Sequence, residues 1–194
     1  MTGVQTCALP IFHGTKHVFD AAVENEVGRV VFASSNHAVG TYNALDVDDP
    51  EAMSAGPART VDPDDPPRPD SFYGVSKVAC EAVGNYYADR HDVEVVNVRI
   101  GWYMTKEALR ERAGEPNGGA DDGKARFARA MWLSPHDCRD VLLKAATTDL
   151  PESPVTVNAV SRNDERFLSI TETMRTLGYE PRDDAAEVLA GSGG

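Results

Sequence analysis

The chain has 194 residues, 31 of them acidic and 19 basic, for a formal net charge of −12. That balance argues against nucleic acid or an anionic membrane as partner, and no run approaches the ~18 apolar residues of a membrane span. The length suits one domain with a sizeable core. Cys7, Cys80 and Cys138 show neither metal-ligand spacing nor a disulfide framework, so no metal is expected and a reducing cytoplasm fits. Acidic residues outnumber basic ones and Lys is scarce, as expected of a protein from high salt, where a carboxylate-rich surface stays hydrated. An ordinary acidic cytosolic protein has the same signature.

Met1 to Ile11 mixes Cys, Pro and Thr without periodicity. It lacks the basic start and apolar core of a secretion signal. We expect residues 1–11 to be a non-native scar outside the fold. Gly14 to Val27 reads as a helix, with Val18, Phe19, Ala22 and Val23 at the helical period. Arg29 to Ser34 reads as a buried parallel strand through its continuous run Val30-Val31-Phe32. Its carboxyl end delivers Ser34 and Ser35, where ligands of open α/β sheets gather. Gly40 to Asp70, rich in Pro and Asp, shows little periodicity and reads as a long loop.

Ser71 to His91 reads as a helix carrying Tyr73 and Lys77 on one face, one turn apart. A phenol ionises near ~10 in water, and an adjacent ammonium favours the phenolate. Such a pair suits removal of a proton from an alcohol. A surface Lys beside a half-buried Tyr has the same spacing, so the pair needs context. Val93 to Arg99 reads as a second apolar strand followed by Ile100 and Gly101. Trp102 and Tyr103 either shape a pocket or fill core. A short charged helix should follow Met104, and the loop Gly114 to Gly123 reads as a mobile lid. Lys124, Arg126 and Arg129 suit a phosphate or carboxylate, or else a helix face paired with surface acids. Ser134 should cap a helix running to Asp149. Pro154 to Val160 reads as a strand, Ile170 to Leu177 as a helix stopped by Gly178, and residues 191–194 as a disordered tail.

Four segments supply the context: Ala33-Ser34-Ser35-Asn36-His37, Tyr73-Gly74-Val75-Ser76-Lys77, Arg99-Ile100-Gly101 and Trp132-Leu133-Ser134. Together they resemble the extended short-chain dehydrogenase/reductase family of NAD-dependent sugar epimerases and dehydratases. Within it they are most similar to the branch of uronate dehydrogenases and haloarchaeal NAD-dependent glucose-6-phosphate dehydrogenases. The resemblance runs from about residue 12 to about residue 188.

The resemblance implies an α/β fold, a Rossmann-like parallel sheet with a small C-terminal substrate-binding part over residues 12–190. No G-x-x-G-x-x-G turn occurs in the chain. The expectation is therefore a truncated sheet lacking the first βαβ units, and a piece inactive by itself. By resemblance, Tyr73 is the catalytic base, Lys77 favours its ionised form and holds the nicotinamide ribose of NAD, and Ser35 steadies the reacting oxygen. Ser35 can equally cap a turn. Ile100 is expected near the nicotinamide, and Asn36, His37 and Arg126 are expected on the substrate. A hydrogen-bonded loop histidine is the alternative for His37.

The implied reaction is oxidation of an aldose at its anomeric carbon to a lactone, with glucose-6-phosphate favoured over a free uronate. Alternatives are a sugar-nucleotide epimerase or dehydratase, an NAD-sensing regulator or an inactive fragment. The implied partners are a small sugar or sugar phosphate and a second copy of the chain, a homodimer through helices 14–27 and 71–91. Packing inside the monomer is the other use of those apolar faces.

Overall fold

The computed structural model describes residues 5–46, 48–54, 56–113 and 123–191. Helix α1 (Gln5–Glu24) leads into strand β1 (Arg29–Ser35). Two single 3₁₀ turns, Asn36–Ala38 and Gly40–Tyr42, follow. Next come β2 (Ala44–Asp46) and β3 (Asp49–Met53), then α2 (Phe72–Ala88), β4 (Glu94–Ile100) and β5 (Trp102–Tyr103). The last third holds α3 (Lys106–Ala113), α4 (Gly123–Met131), β6 (Trp132–Leu133), α5 (Pro135–Thr147), β7 (Val155–Ala159), α6 (Thr171–Leu177) and α7 (Ala185–Ala190).

The main sheet is parallel with strand order β1-β4-β7. The α/β class and parallel sheet agree with the sequence reading. β4 lies in the middle and carries the core: Val95, Val96 and Val98 are fully buried. Its apolar run is what a strand covered on both faces requires. β1 is an outer strand of this sheet, and Val30, Val31 and Phe32 are only half-buried, where the sequence predicted full burial. A run of apolar residues does not distinguish a central strand from an outer one.

Other boundaries also differ. α1 begins at Gln5, so residues 5–11 join the helix instead of lying outside it, and Pro10 sits within it. The helix ends three residues before Val27. Glu26 takes a positive φ of 53° and Val27 N–H turns back to the Ala22 carbonyl. The long loop after Gly40 holds the β2–β3 hairpin, whose strands of three and five residues are too short to carry a period-2 signal. The pairs β5–β6 and helix α7 were likewise unpredicted. The lid at 114–123 falls outside the described residues except for Gly123, and so does the tail beyond Gly191.

One polar cluster ties the sheet to α2. Glu81, on α2, takes two hydrogen bonds from Arg99 on β4, each 2.9 Å, and one from the Ser34 hydroxyl on β1 at 2.5 Å. Arg99 also donates to the Pro63 carbonyl at 3.0 Å. The two charged side chains are 4% and 6% exposed. The pair is therefore held in a low dielectric with its hydrogen-bonding groups matched. Glu81→Ala leaves the guanidinium buried without its counter-ion. It should destabilise the protein by about 3–5 kcal/mol, read as a fall in the denaturation midpoint without a change in slope.

Candidate active site

The carboxyl ends of β1 and β4 lie in register, Ser34 beside Arg99 and Ser35 beside Ile100. The chain leaving β1 turns at once into the Asn36–Ala38 turn, capped by Ser35, whose Oγ accepts the His37 N–H at 3.2 Å. The capping reading of Ser35 is thus realised. It leaves the hydroxyl proton free to serve a second acceptor. Asn36 is buried and donates from Nδ2 to the Ile100 carbonyl at 3.2 Å, while its Oδ1 is buried without a hydrogen-bond partner among the described residues.

α2 begins beside this turn. Ser71 is its N-cap, accepting the Gly74 N–H at 3.1 Å. Tyr73 then stands at 42% exposure, its ring edge-on to the His37 ring with centroids 5.8 Å apart. One turn on, the Lys77 ammonium donates to the Ala33 carbonyl at 2.8 Å and sits 5.5 Å from the Tyr73 ring centroid. An ammonium has three donors, so two remain for a ligand. Ser35, His37, Tyr73 and Lys77 therefore form one chain of contacts across β1 and α2.

Gly74 makes this approach possible. A Cβ at Gly74 would lie 2.2 Å from the His37 carbonyl oxygen. No side chain fits there, so Gly74 lets α2 lie directly on the β1 turn.

His37 has further partners that the sequence did not reveal. Its Nδ1 meets both Asp70 carboxylate oxygens at 2.9 and 3.0 Å, and its ring stacks on Phe127 with centroids 6.3 Å apart. Phe127 in turn meets Trp102 at 5.7 Å, so Trp102 belongs to the aromatic floor under His37. Asp70 looked like one more acid in a Pro- and Asp-rich loop, and nothing in its spacing set it apart. Glu81 did carry a signal, lying four residues beyond Lys77 on the same helix face.

The cationic trio of α4 has partners within the chain. Arg129 holds Glu165 with two hydrogen bonds, 2.7 and 3.2 Å. Arg126 donates to the Ser54 carbonyl and, at 2.9 Å, to that of Gly56, with Glu165 3.6 Å away. Lys124 pairs with Asp49 at 3.0 Å. The helix turns Phe127 toward His37 and brings Arg126 to the Ser54 and Gly56 carbonyls.

The nicotinamide end of NAD fits these residues: an ammonium with two free donors stands beside a phenol. Tyr73, Lys77 and the Ile100 edge are the groups that would hold it. None of the described helices is long and apolar enough to cross a membrane.

Comparison with known proteins gives one family and several relatives. The family model described as the NAD dependent epimerase/dehydratase family matches residues 9–107. The chain is 51% identical over 176 residues to the L-arabinose 1-dehydrogenase (NAD(P)(+)) of Haloferax volcanii, covering 91% of this chain and 67% of that protein. It is 38% identical over 174 residues to the NAD-dependent glucose-6-phosphate dehydrogenase of the same organism, covering 90% and 60%. Among solved structures, glucuronic acid dehydrogenase from Chromohalobacter salexigens superposes with a TM-score of 0.67 at 27% identity, covering 93% of this chain and 57% of that one. The chain thus spans between 57% and 67% of the length of these relatives.

Gly74→Ala forces a Cβ into the His37 carbonyl. Overpacking of this kind costs about 1–3 kcal/mol. The variant should show a lower thermal midpoint, and the altered His37 backbone should appear as shifted amide resonances at residues 35–38 in NMR spectra.

Proposed function

We propose that this chain, which belongs to the NAD dependent epimerase/dehydratase family, carries the catalytic residues of an NAD-dependent sugar dehydrogenase acting at the anomeric carbon. The observation that supports this is the linked set Ser35, His37, Tyr73 and Lys77 at the carboxyl ends of β1 and β4. NAD, when bound, supplies the hydride acceptor. Tyr73 takes the proton of the anomeric hydroxyl at its phenolic oxygen. Lys77 favours the ionised phenol by its charge and donates to the nicotinamide ribose. Ser35 hydrogen-bonds the substrate oxygen as it becomes the lactone carbonyl. Asn36 and His37 bind sugar hydroxyls.

A neutral aldose such as L-arabinose is the favoured substrate. Each cation expected to meet a phosphate or carboxylate is already countered within the chain: Lys124 by Asp49, Arg129 by Glu165, and Arg126 by two carbonyls and Glu165. The relative named as an L-arabinose 1-dehydrogenase supports the same choice. Glucose-6-phosphate is the second reading, favoured by three cations on one short helix and by the relative named for that substrate. The exposed outer faces of α1 and α2, with Val18, Phe72, Val75 and Tyr86, support a homodimer through these helices.

The test uses full-length protein in high salt, following NADH absorbance with L-arabinose, glucose-6-phosphate, glucuronate and galacturonate. Turnover should be greatest with L-arabinose. Preference for the phosphate sugar would establish the second reading, and no turnover with any of them would refute both. Tyr73→Phe should lower kcat by about 10²–10⁴-fold while NAD binding, followed by fluorescence, is retained.

A further inference from the structure

We propose that Asp70 is a positioning residue, which fixes His37 as a hydrogen-bond acceptor for a hydroxyl of the sugar. The proposal rests on the sugar-dehydrogenase reading of the site and deepens it.

A carboxylate only accepts hydrogen bonds. Both Asp70 oxygens lie within 3.0 Å of His37 Nδ1, so that nitrogen carries the hydrogen. In the neutral ring Nε2 then has a lone pair and no proton. The ring is clamped on three sides, by Asp70, by the Phe127 face and by the edge contact with Tyr73. It can neither flip nor swing without breaking the bidentate contact. Nε2, on the far side of the ring from Asp70, is the atom left for a ligand. It selects a ligand group that donates, such as a sugar hydroxyl, and binds it beside the catalytic phenol.

Asp70 is itself locked. Its carboxylate takes the Ser71 hydroxyl at 2.9 Å and its backbone N–H meets the His37 carbonyl at 3.3 Å. Its side chain is 2% exposed. A Cβ at Gly40 would fall 1.7 Å from Asp70 Oδ2, so the carboxylate fills the space that any side chain at Gly40 would need. A loop acid with a merely solvated role needs none of these contacts. A histidine held this way by a carboxylate keeps one tautomer and one orientation, and loss of the carboxylate is felt at the far nitrogen.

The decisive experiment is a double-mutant cycle in the full-length protein. Asp70→Asn should lower kcat/KM for the sugar tenfold to hundredfold, chiefly through KM, with the KM for NAD changed less than twofold. In a His37→Ala background the same Asp70→Asn substitution should change kcat/KM less than twofold. An equal loss in both backgrounds overturns the proposal and leaves Asp70 with its contacts to Ser71 and the α2 cap. Thermal midpoints of all four proteins separate lost positioning from lost folding. Imidazole nitrogen NMR of His37 gives a readout that needs no turnover. The Nδ1–H tautomer is expected in the wild type and its loss in Asp70→Asn. A wild-type Nε2–H tautomer overturns the proposal, whereas absent turnover with the expected tautomer refutes only the dehydrogenase reading.

Discussion

The pair of Glu81 with Arg99 is the constraint on which the site depends. It joins an atom of α2 to one of β4, draws in the Ser34 hydroxyl of β1, and through Arg99 holds the Pro63 carbonyl of the long loop. Buried ion pairs give little net stability, because desolvation of two charges offsets their attraction. What this one gives is registry. Glu81 lies two turns from Tyr73 and one from Lys77 on a single helix face. Any slide or rotation of α2 against the sheet would break three charge-assisted hydrogen bonds. Tyr73 and Lys77 are thereby held at a fixed height over Ser35.

A second buried carboxylate does similar work for the last third of the chain. Asp137, at the start of α5, accepts from the Ser161 hydroxyl at 2.6 Å and from the backbone of Arg182 and Asp183 at 2.9 and 3.2 Å. Ser134 caps the helix, and its hydroxyl donates a hydrogen bond to Asp183 at 2.6 Å. For Asp183, burial works to raise the carboxyl, and the hydrogen bonds from Ser134 and Lys106 outweigh it, so the group lies below its usual range. Charge complementarity at a helix start thus anchors the segment that ends in α7. With α4 and α5 fixed in this way, Phe127 is brought under His37.

Elements with a strong local signal were legible in the sequence. The continuous apolar runs of β1 and β4, the Ser134 cap of α5 and the Gly178 stop of α6 each have a short-range cause. The spacing of Tyr73 and Lys77, set in its family context, gave their shared face. What was not legible depends on long-range partners. The hairpin β2–β3 is too short to show alternation. Asp70 is one of many acids in its loop, and only folding brings it to His37, 33 residues away. Arg126 is one of three cations, and the sequence does not say that the Ser54 and Gly56 carbonyls and Glu165 will meet it.

That last point bears on the proposed preference for a neutral sugar. The ion pairs of α4 are partly solvated, with Glu165 38% exposed and Lys124 66% exposed. Exposed pairs of this kind are worth about 0–1 kcal/mol and weaken as salt rises. They cannot by themselves exclude an anionic sugar in a protein suited to high salt. The selective element must be one that salt does not screen. The packing of His37 on Phe127, and of Phe127 on Trp102, is such an element, since it is apolar and Phe127 is buried. On the proposed tautomer His37 adds an acceptor, which a hydroxyl satisfies and a fully ionised phosphate or carboxylate cannot. The proposed neutral-sugar preference therefore rests on the held orientation of His37 more than on the partly solvated ion pairs of α4.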